Sequence, residues 1–324
     1  MNLPDNKAKV QEIHLPGISV IIPFSGNSDD LAFCLQGLKH QKFKYEFEII
    51  VVKSGVEFPL NDIADLPTNT RIITSSTLMY PGKARNSGVR NSKAELLAFI
   101  DADCVPDAGW LSAVYSSLKK GNDIAVGPVI NLHPFHPIAS VDNLFLFADF
   151  QKQRPSKYFE HFAGCNFGIT RNLYQEVGGF REDMIIAEDT KFSESAIQKG
   201  KIAFDKKMIV RHSGRKELKK FRKHHESFGF YKGYLNLRES TGDNKLRKHF
   251  FYPFLLGARR MIYISIRTLQ WNPAGLLRII FYFPFLFLGL SSWIKGFRKG
   301  QSEYLSEMSL QDNSTLKNKP ENHE

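Results

Sequence analysis

The stretch Ala94-Glu-Leu-Leu-Ala-Phe-Ile-Asp-Ala-Asp-Cys-Val-Pro106 constrains the fold of this chain more than any other. Its apolar run, Leu96 to Ile100, shows no polar alternation, as expected of a strand covered on both faces. The run stops at two carboxylates, Asp101 and Asp103, one residue apart. In an open α/β sheet the carboxyl ends of such strands form the rim where ligands bind. Two acids on that rim make a hard-oxygen site suited to Mg²⁺ or Mn²⁺, ions that in turn hold phosphates.

The surrounding pattern supports such a sheet. Ile18 to Ile22 is a β-branched run closed by Pro23, and Phe47 to Val52 is a second strand; Arg71 to Thr74 suits a third. Helical spacing follows each: Leu31, Leu35 and Leu38 after an N-cap at Ser28, then Lys83 to Ser92 after the Pro81-Gly82 turn. Beyond the acids, short strands are expected at 123–126, within 162–170, and at 201–204 and 208–212. An apolar helix is expected at 137–151, and further helices at 172–177 and 190–199. This alternation predicts an α/β fold: a Rossmann-like, mostly parallel sheet with helices on both faces, plus a C-terminal hydrophobic helical region. The expected divisions are a polar segment at 1–17, a catalytic domain at 18–218, a basic arm with hydrophobic helices at 219–299, and a disordered polar tail at 300–324.

The formal charge is +11, which suits anionic partners such as nucleotide phosphates or an acidic membrane surface. Cys34, Cys104 and Cys165 are scattered, with no metal-binding spacing, and read as reduced packing residues of a cytosolic chain. Met1 to Gly17 lacks the apolar core of a signal peptide. Between Lys206 and Lys223 nine Lys or Arg face one acid, Glu217, so this arm can grip a diphosphate or rest on anionic lipid. Its aromatic neighbours, Phe228 to Tyr234, also imitate a nucleic-acid patch. The run Ile279 to Ile294 is short for a straight span and is flanked by Arg278, Lys295, Arg298 and Lys299. Positive charge at both ends favours a shallow or re-entrant segment, or a hairpin with Phe250 to Ile266, over a single crossing. A helical pair packed on the catalytic domain is the alternative.

Six short stretches then occur in one order: Ser19-Val-Ile-Ile-Pro23, Glu48-Ile-Ile-Val-Val52, Gly82-Lys-Ala-Arg-Asn-Ser-Gly88, Asp101-Ala-Asp103, Val177-Gly-Gly-Phe180 and Glu188-Asp189. In this the chain resembles a family 2 glycosyltransferase with the glycosyltransferase-A fold, over roughly Ile18 to His212. The resemblance implies roles. Asp103 would be the direct metal ligand, with Asp101 toward the ribose or the ion's hydration shell. Pro23, Arg85 and Asn86 would meet the nucleotide, and a helix amino terminus near Lys83 suits phosphate. Asp189 would be the general base that takes the acceptor hydroxyl's proton, with Glu188 beside it. Gly164 and Asn166 would line the donor-sugar or acceptor side, and His212 would be a further metal ligand. Each has a plainer reading. Glu188 and Asp189 also suit the first turn of a helix, Gly164 and Asn166 a tight turn, and His212 a surface position beside Arg211.

The resemblance further implies an inverting, metal-dependent transfer of a sugar from a nucleotide-sugar donor to a hydroxyl of a glycan or lipid-linked precursor. The expected setting is the cytoplasmic face of the membrane, with no nucleic acid bound. A UDP-sugar is the commonest donor, yet Lys53-Ser54-Gly55 stands where the family often has an acid that contacts the base. A lysine cannot accept a hydrogen bond from an imide N–H. The Gln-x-x-Arg-Trp signature of processive synthases is absent, which favours one sugar per encounter. Two rivals remain: a nucleotidyltransferase, and an inactive membrane-bound scaffold of the same fold.

Overall fold

The computed structural model describes residues 16–26, 28–55, 66–155, 159–238, 247 and 249–317. Most of the segment expected at 1–17 lies outside them. The sheet begins with β1 (Ile18–Phe24), β2 (Phe47–Ser54), β3 (Thr70–Ser75) and β4 (Leu96–Ile100). All four run parallel, in the order β3-β2-β1-β4. Every residue of β4 is buried, so the uninterrupted apolar run reflects cover on both faces. Helix α1 (Ser28–Lys39) and α2 (Pro81–Arg90) are the crossovers, and α2 packs on β1 and β2.

The chain then departs from simple alternation. After β5 (Cys104–Pro106), α3 (Trp110–Lys119), β6 (Ile124–Val126), β7 (Val129–Asn131) and α4 (Pro137–Phe147), β8 (Asn166–Thr170) enters antiparallel between β4 and β6. Short α5 (Arg171–Val177) and α6 (Glu188–Lys199) precede β9 (Ile202–Phe204), which closes the seven-stranded sheet beside β6. β10 (Val210–His212) joins a second sheet, β5-β10-β7. That small sheet pairs His212 with Cys104, which places the histidine against the turn that holds Asp103.

Past β10 the chain is helical: α7 (Leu218–Arg238), α8 (Tyr252–Trp271), α9 (Gly275–Phe281) and α10 (Phe283–Lys317). A second apolar cluster of Val141, Leu144, Phe145, Phe221, Ile264 and Leu286 joins α4 to this region. α7 and α10 run parallel in unusually close contact, because Gly229 and Gly233 on one helix face Gly296 and Gly300 on the other. A Cβ at Gly296 would fall 1.9 Å from the Glu226 carbonyl oxygen, and one at Gly229 2.0 Å from that of Trp293. Glycine is what lets two backbones approach this far.

The tail expected from residue 300 is instead helix as far as Lys317. Composition alone missed its partners. Gly300 seats against Phe230, Tyr234 O–H donates to Glu307, and Gln301 donates to the Arg247 carbonyl. Residues 318–324 lie outside the described residues. The apolar run at 279–294 is broken near Tyr282. Among the described residues no single helix is long and apolar enough to cross a membrane. The pair α9 and α10, bent by 78°, meets that test together.

Candidate active site

A cleft of about 590 Å³ opens at the carboxyl ends of β1, β2 and β4. Pro23, Arg85, Asp101, Asp103, Gly164, Glu188, Asp189 and His212 all line it. Eight residues expected at a site, drawn from six stretches of chain, thus meet in one place.

Arg85 organises the floor. Its guanidinium, almost fully buried, donates to Asp101 at 2.7 Å with one nitrogen and to Glu188 at 2.7 Å with another. Helix α2 supplies this arginine in its amino-terminal half, and α6 supplies Glu188, so one cation ties two rims of the cleft together. Burial pushes Glu188 up to about 7, with Asp189 adding to the rise and Arg85 opposing it.

Asp189 lies beside that cluster. Its Oδ2 accepts from the Gly164 N–H at 3.1 Å and its Oδ1 from the Thr190 N–H at 2.7 Å. Gly164 is required by space: a Cβ there would sit 2.8 Å from the Asp189 Cβ and 3.2 Å from Arg85. Ala187, just before, adopts φ 66°, a left-handed conformation that non-glycine residues rarely take. Strained entry of this kind is characteristic of functional sites. The acids also occupy the first turn of α6, where the helix dipole favours them, so the capping reading and the cleft reading coexist.

Asp103 and His212 form the opposite wall, with Nε2 of the imidazole 3.3 Å from Oδ2 of the carboxylate. Burial opposes both charges, but their mutual attraction wins. The carboxyl is held well below its usual range, and the imidazole's affinity for its proton is raised. The His212 Nδ1 is buried without a hydrogen-bond partner. Among the described residues no group of three or more His, Cys, Asp and Glu side chains could surround an ion. One carboxylate and one imidazole nevertheless suit Mn²⁺ or Mg²⁺ shared with a phosphate group, because such ions take few protein ligands when phosphates and water complete the shell.

Three expected site residues do not line the cleft. The Asn86 Oδ1 accepts from the Phe180 N–H and the Tyr174 O–H, and its Nδ2 donates to the Phe180 carbonyl, locking the Gly178–Gly179 turn to α2. Asn166 accepts from Trp110 Nε1 and donates to the carbonyls of Pro128 and Met208. Lys53 is buried at 5% exposure, while the next residue, Ser54, does line the cleft. The Ser54 hydroxyl itself is buried with no hydrogen-bond partner.

Sequence reasoning missed Arg215 and His224, which also line the cleft. Arg215 is held by Asp142, a fully buried carboxylate on α4, which accepts from its main-chain N–H at 3.0 Å and its Nη1 at 3.3 Å. The other Asp142 oxygen meets His225 Nε2 at 3.1 Å. Burial would raise the Asp142 carboxyl, but His225 and Arg215 hold it well below the usual range. The only sequence signal for Arg215 was its place in the cationic stretch.

The fold and the cleft define an α/β protein of the glycosyltransferase-A type. Residues 19–178 match the model of Glycosyl transferase family 2, so the chain carries a domain of that family. It is 26% identical over 192 residues to glycosyltransferase AglE of Haloferax volcanii, an alignment covering 57% of this chain and 63% of that protein. The chain therefore spans less than two thirds of that relative's length. Among solved structures it is similar to the mannosyltransferase PcManGT from Pyrobaculum calidifontis in complex with GDP-Man and Mn²⁺. The TM-score there is 0.54 at 15% identity, over 89% of this chain and 88% of that one. It is also similar to S. aureus TarS 1-349 in complex with UDP-GlcNAc, with TM-score 0.50 at 14% identity over 90% and 92% of the two chains. Both likenesses speak to the fold.

Proposed function

We propose that the chain is an inverting, metal-dependent glycosyltransferase. It moves a sugar from a nucleotide-sugar donor to a hydroxyl of a glycan or lipid-linked precursor at the cytoplasmic face of a membrane. One observation carries the reading: Asp103 with His212, and Asp189 with Glu188, open into one cleft with Arg85 between them. Asp103 and His212 are the residues that would hold Mn²⁺ or Mg²⁺, which when bound neutralises charge on the departing nucleoside diphosphate. The Mn²⁺ complex of the structural neighbour PcManGT supports this choice of ion.

The chain's own groups do the rest. Asp189, fixed by two main-chain donors, points one face of its carboxylate into the cleft and takes the acceptor proton. Arg85 holds Asp101 at the nucleotide side, and Arg215 adds a second cation near the diphosphate. Ser54, the residue after Lys53, lines the cleft at the end of β2. The acids and arginines gathered in one cleft argue against the inactive scaffold. The TarS complex with UDP-GlcNAc and the PcManGT complex with GDP-Man leave both bases for the assay.

The test is a thermal-shift screen of UDP- and GDP-sugars with and without Mn²⁺, followed by detection of the released product. Free nucleoside diphosphate, abolished by Asp189→Asn, is expected. Pyrophosphate released from a triphosphate would instead make the chain a nucleotidyltransferase.

A further inference from the structure

Helix α8 is inside out for a water-exposed helix. Its buried face is Pro253, Gly257, Ile264 and Thr268, while Leu255, Ile262 and Leu269 are each more than half exposed. α9 and the start of α10 continue this surface through Ile280, Phe281 and Phe287. Among the described residues, thirteen of the twenty-two exposed large apolar side chains fall between Phe250 and Phe287. A patch this concentrated marks an interaction surface. The sequence from Asn244 to Ser302 contains no Asp or Glu but ten Lys or Arg, so the partner of this surface is apolar and anionic together.

A groove of about 720 Å³ runs between α8 and α10 within that surface. Phe254, Ala258, Phe287 and Leu290 line its apolar length, and Lys295, Arg298 and Lys299 line its other end. Lys295 and Lys299 share Glu226 at 3.2 and 2.5 Å, and Arg298 lies 3.8 Å over the Phe250 ring. The four charged groups leave a net charge of +2 at the mouth. An apolar trough ending in excess positive charge is complementary to one molecule of anionic phospholipid, acyl chain along the trough and phosphate at Arg298.

We infer that α8, α9 and the first turns of α10 form a wedge lying in the plane of one leaflet, and that the α8–α10 groove seats an anionic phospholipid. This deepens the membrane part of the proposed function and rests on it. The wedge cannot be a simple crossing, because α10 beyond Ser291 is clasped to α7 through Gly296 and Gly300. An apolar face with cationic flanks lying along the interface is the expected behaviour of such helices.

The test is co-sedimentation of the full chain with vesicles of phosphatidylcholine alone and of an equimolar mixture with phosphatidylglycerol. Binding to the mixture is expected to be tighter and salt-sensitive, with each groove cation worth on the order of fivefold. Arg298→Gln should lower binding to the mixture about fivefold and leave phosphatidylcholine binding unchanged. Ala258→Glu, inside the groove, should cost far more than Gln270→Glu, which adds the same charge to α8 outside it. Ile262→Asp with Ile266→Asp should abolish binding to both vesicles without lowering the melting temperature, since both side chains are exposed. Equal binding to the two compositions, or equal effects of the two glutamates, would overturn the lipid site while leaving membrane attachment in place. No binding to either would overturn both. Nucleoside diphosphate release, measured in parallel, reports on the transfer reading independently.

Discussion

Replacing Gly296 with alanine tests whether the helical region is held by backbone contact. An ordinary Cβ contact lies at 3.4 Å or more, and the new Cβ would start 1.9 Å from the Glu226 carbonyl oxygen, so α7 and α10 must part by roughly 1.5 Å. Neither neighbour can yield alone, because the clashing atom is backbone inside a helix. Alanine's better helix propensity returns about 1 kcal/mol. Against it stand overpacking of about 1–3 kcal/mol and the loosened burial of Trp293 and Phe297, together about 2–4 kcal/mol more. The net expectation is a loss of about 2–6 kcal/mol, or a fall of about 3–9 °C in Tm. Differential scanning fluorimetry and urea melts of the full chain would measure it. Gly300→Ala added to Gly296→Ala should cost less than it does alone, since the helices have already parted. Gly109→Ala, whose Cβ meets nothing within 4 Å, is the matched control and should stay within about 0.5 kcal/mol. A Gly296→Ala protein as stable as the parent would refute the close-contact argument.

Three further outcomes follow from the cleft. Asp189→Asn should cut transfer by about 10²–10⁴-fold while sparing donor affinity, read by turnover and by isothermal titration. Glu188 holds its proton up to about pH 7 in the folded chain, against 4.5 when exposed, so the native state binds the extra proton between these values and stability falls as pH rises through them. Glu188→Gln should flatten that slope, worth about 3 kcal/mol at most, in melts from about pH 5 to 7. Mn²⁺ stabilisation should increase as pH rises above the ordinary imidazole range, because His212 must release the proton that pairs it with Asp103. Asp103→Ala should remove the Mn²⁺ effect at every pH.

What could be read before the fold was known depended on how local the signal was. Leu96 to Ile100 and the acids after it are contiguous, so a short stretch encodes both strand and site. The antiparallel insertion of β8 was not legible, because five buried residues look the same in either direction. Asn86 and Asn166 illustrate a second limit. An amide in a recognised stretch satisfies main-chain groups as readily as a ligand, and only the tertiary partners decide. Arg215 and His224 were hidden for the converse reason: a buried anion 73 residues upstream of Arg215 and the course of α7 bring them to the cleft. The helix at 300–317 went unseen because its contacts to α7 are made by glycine and scattered polar side chains.

Two neighbouring helices that point the same way impose a demand on the chain joining them. It must travel back the full length of the first before the second can start, and α8, with twenty residues and roughly 30 Å of rise, is that return leg. It runs opposite to α10, with Tyr252 near Phe297 and Gly257 near Leu290. The greasy detour is therefore not an appendage that trimming could remove. Shorten it and the glycine clasp has no route by which to close.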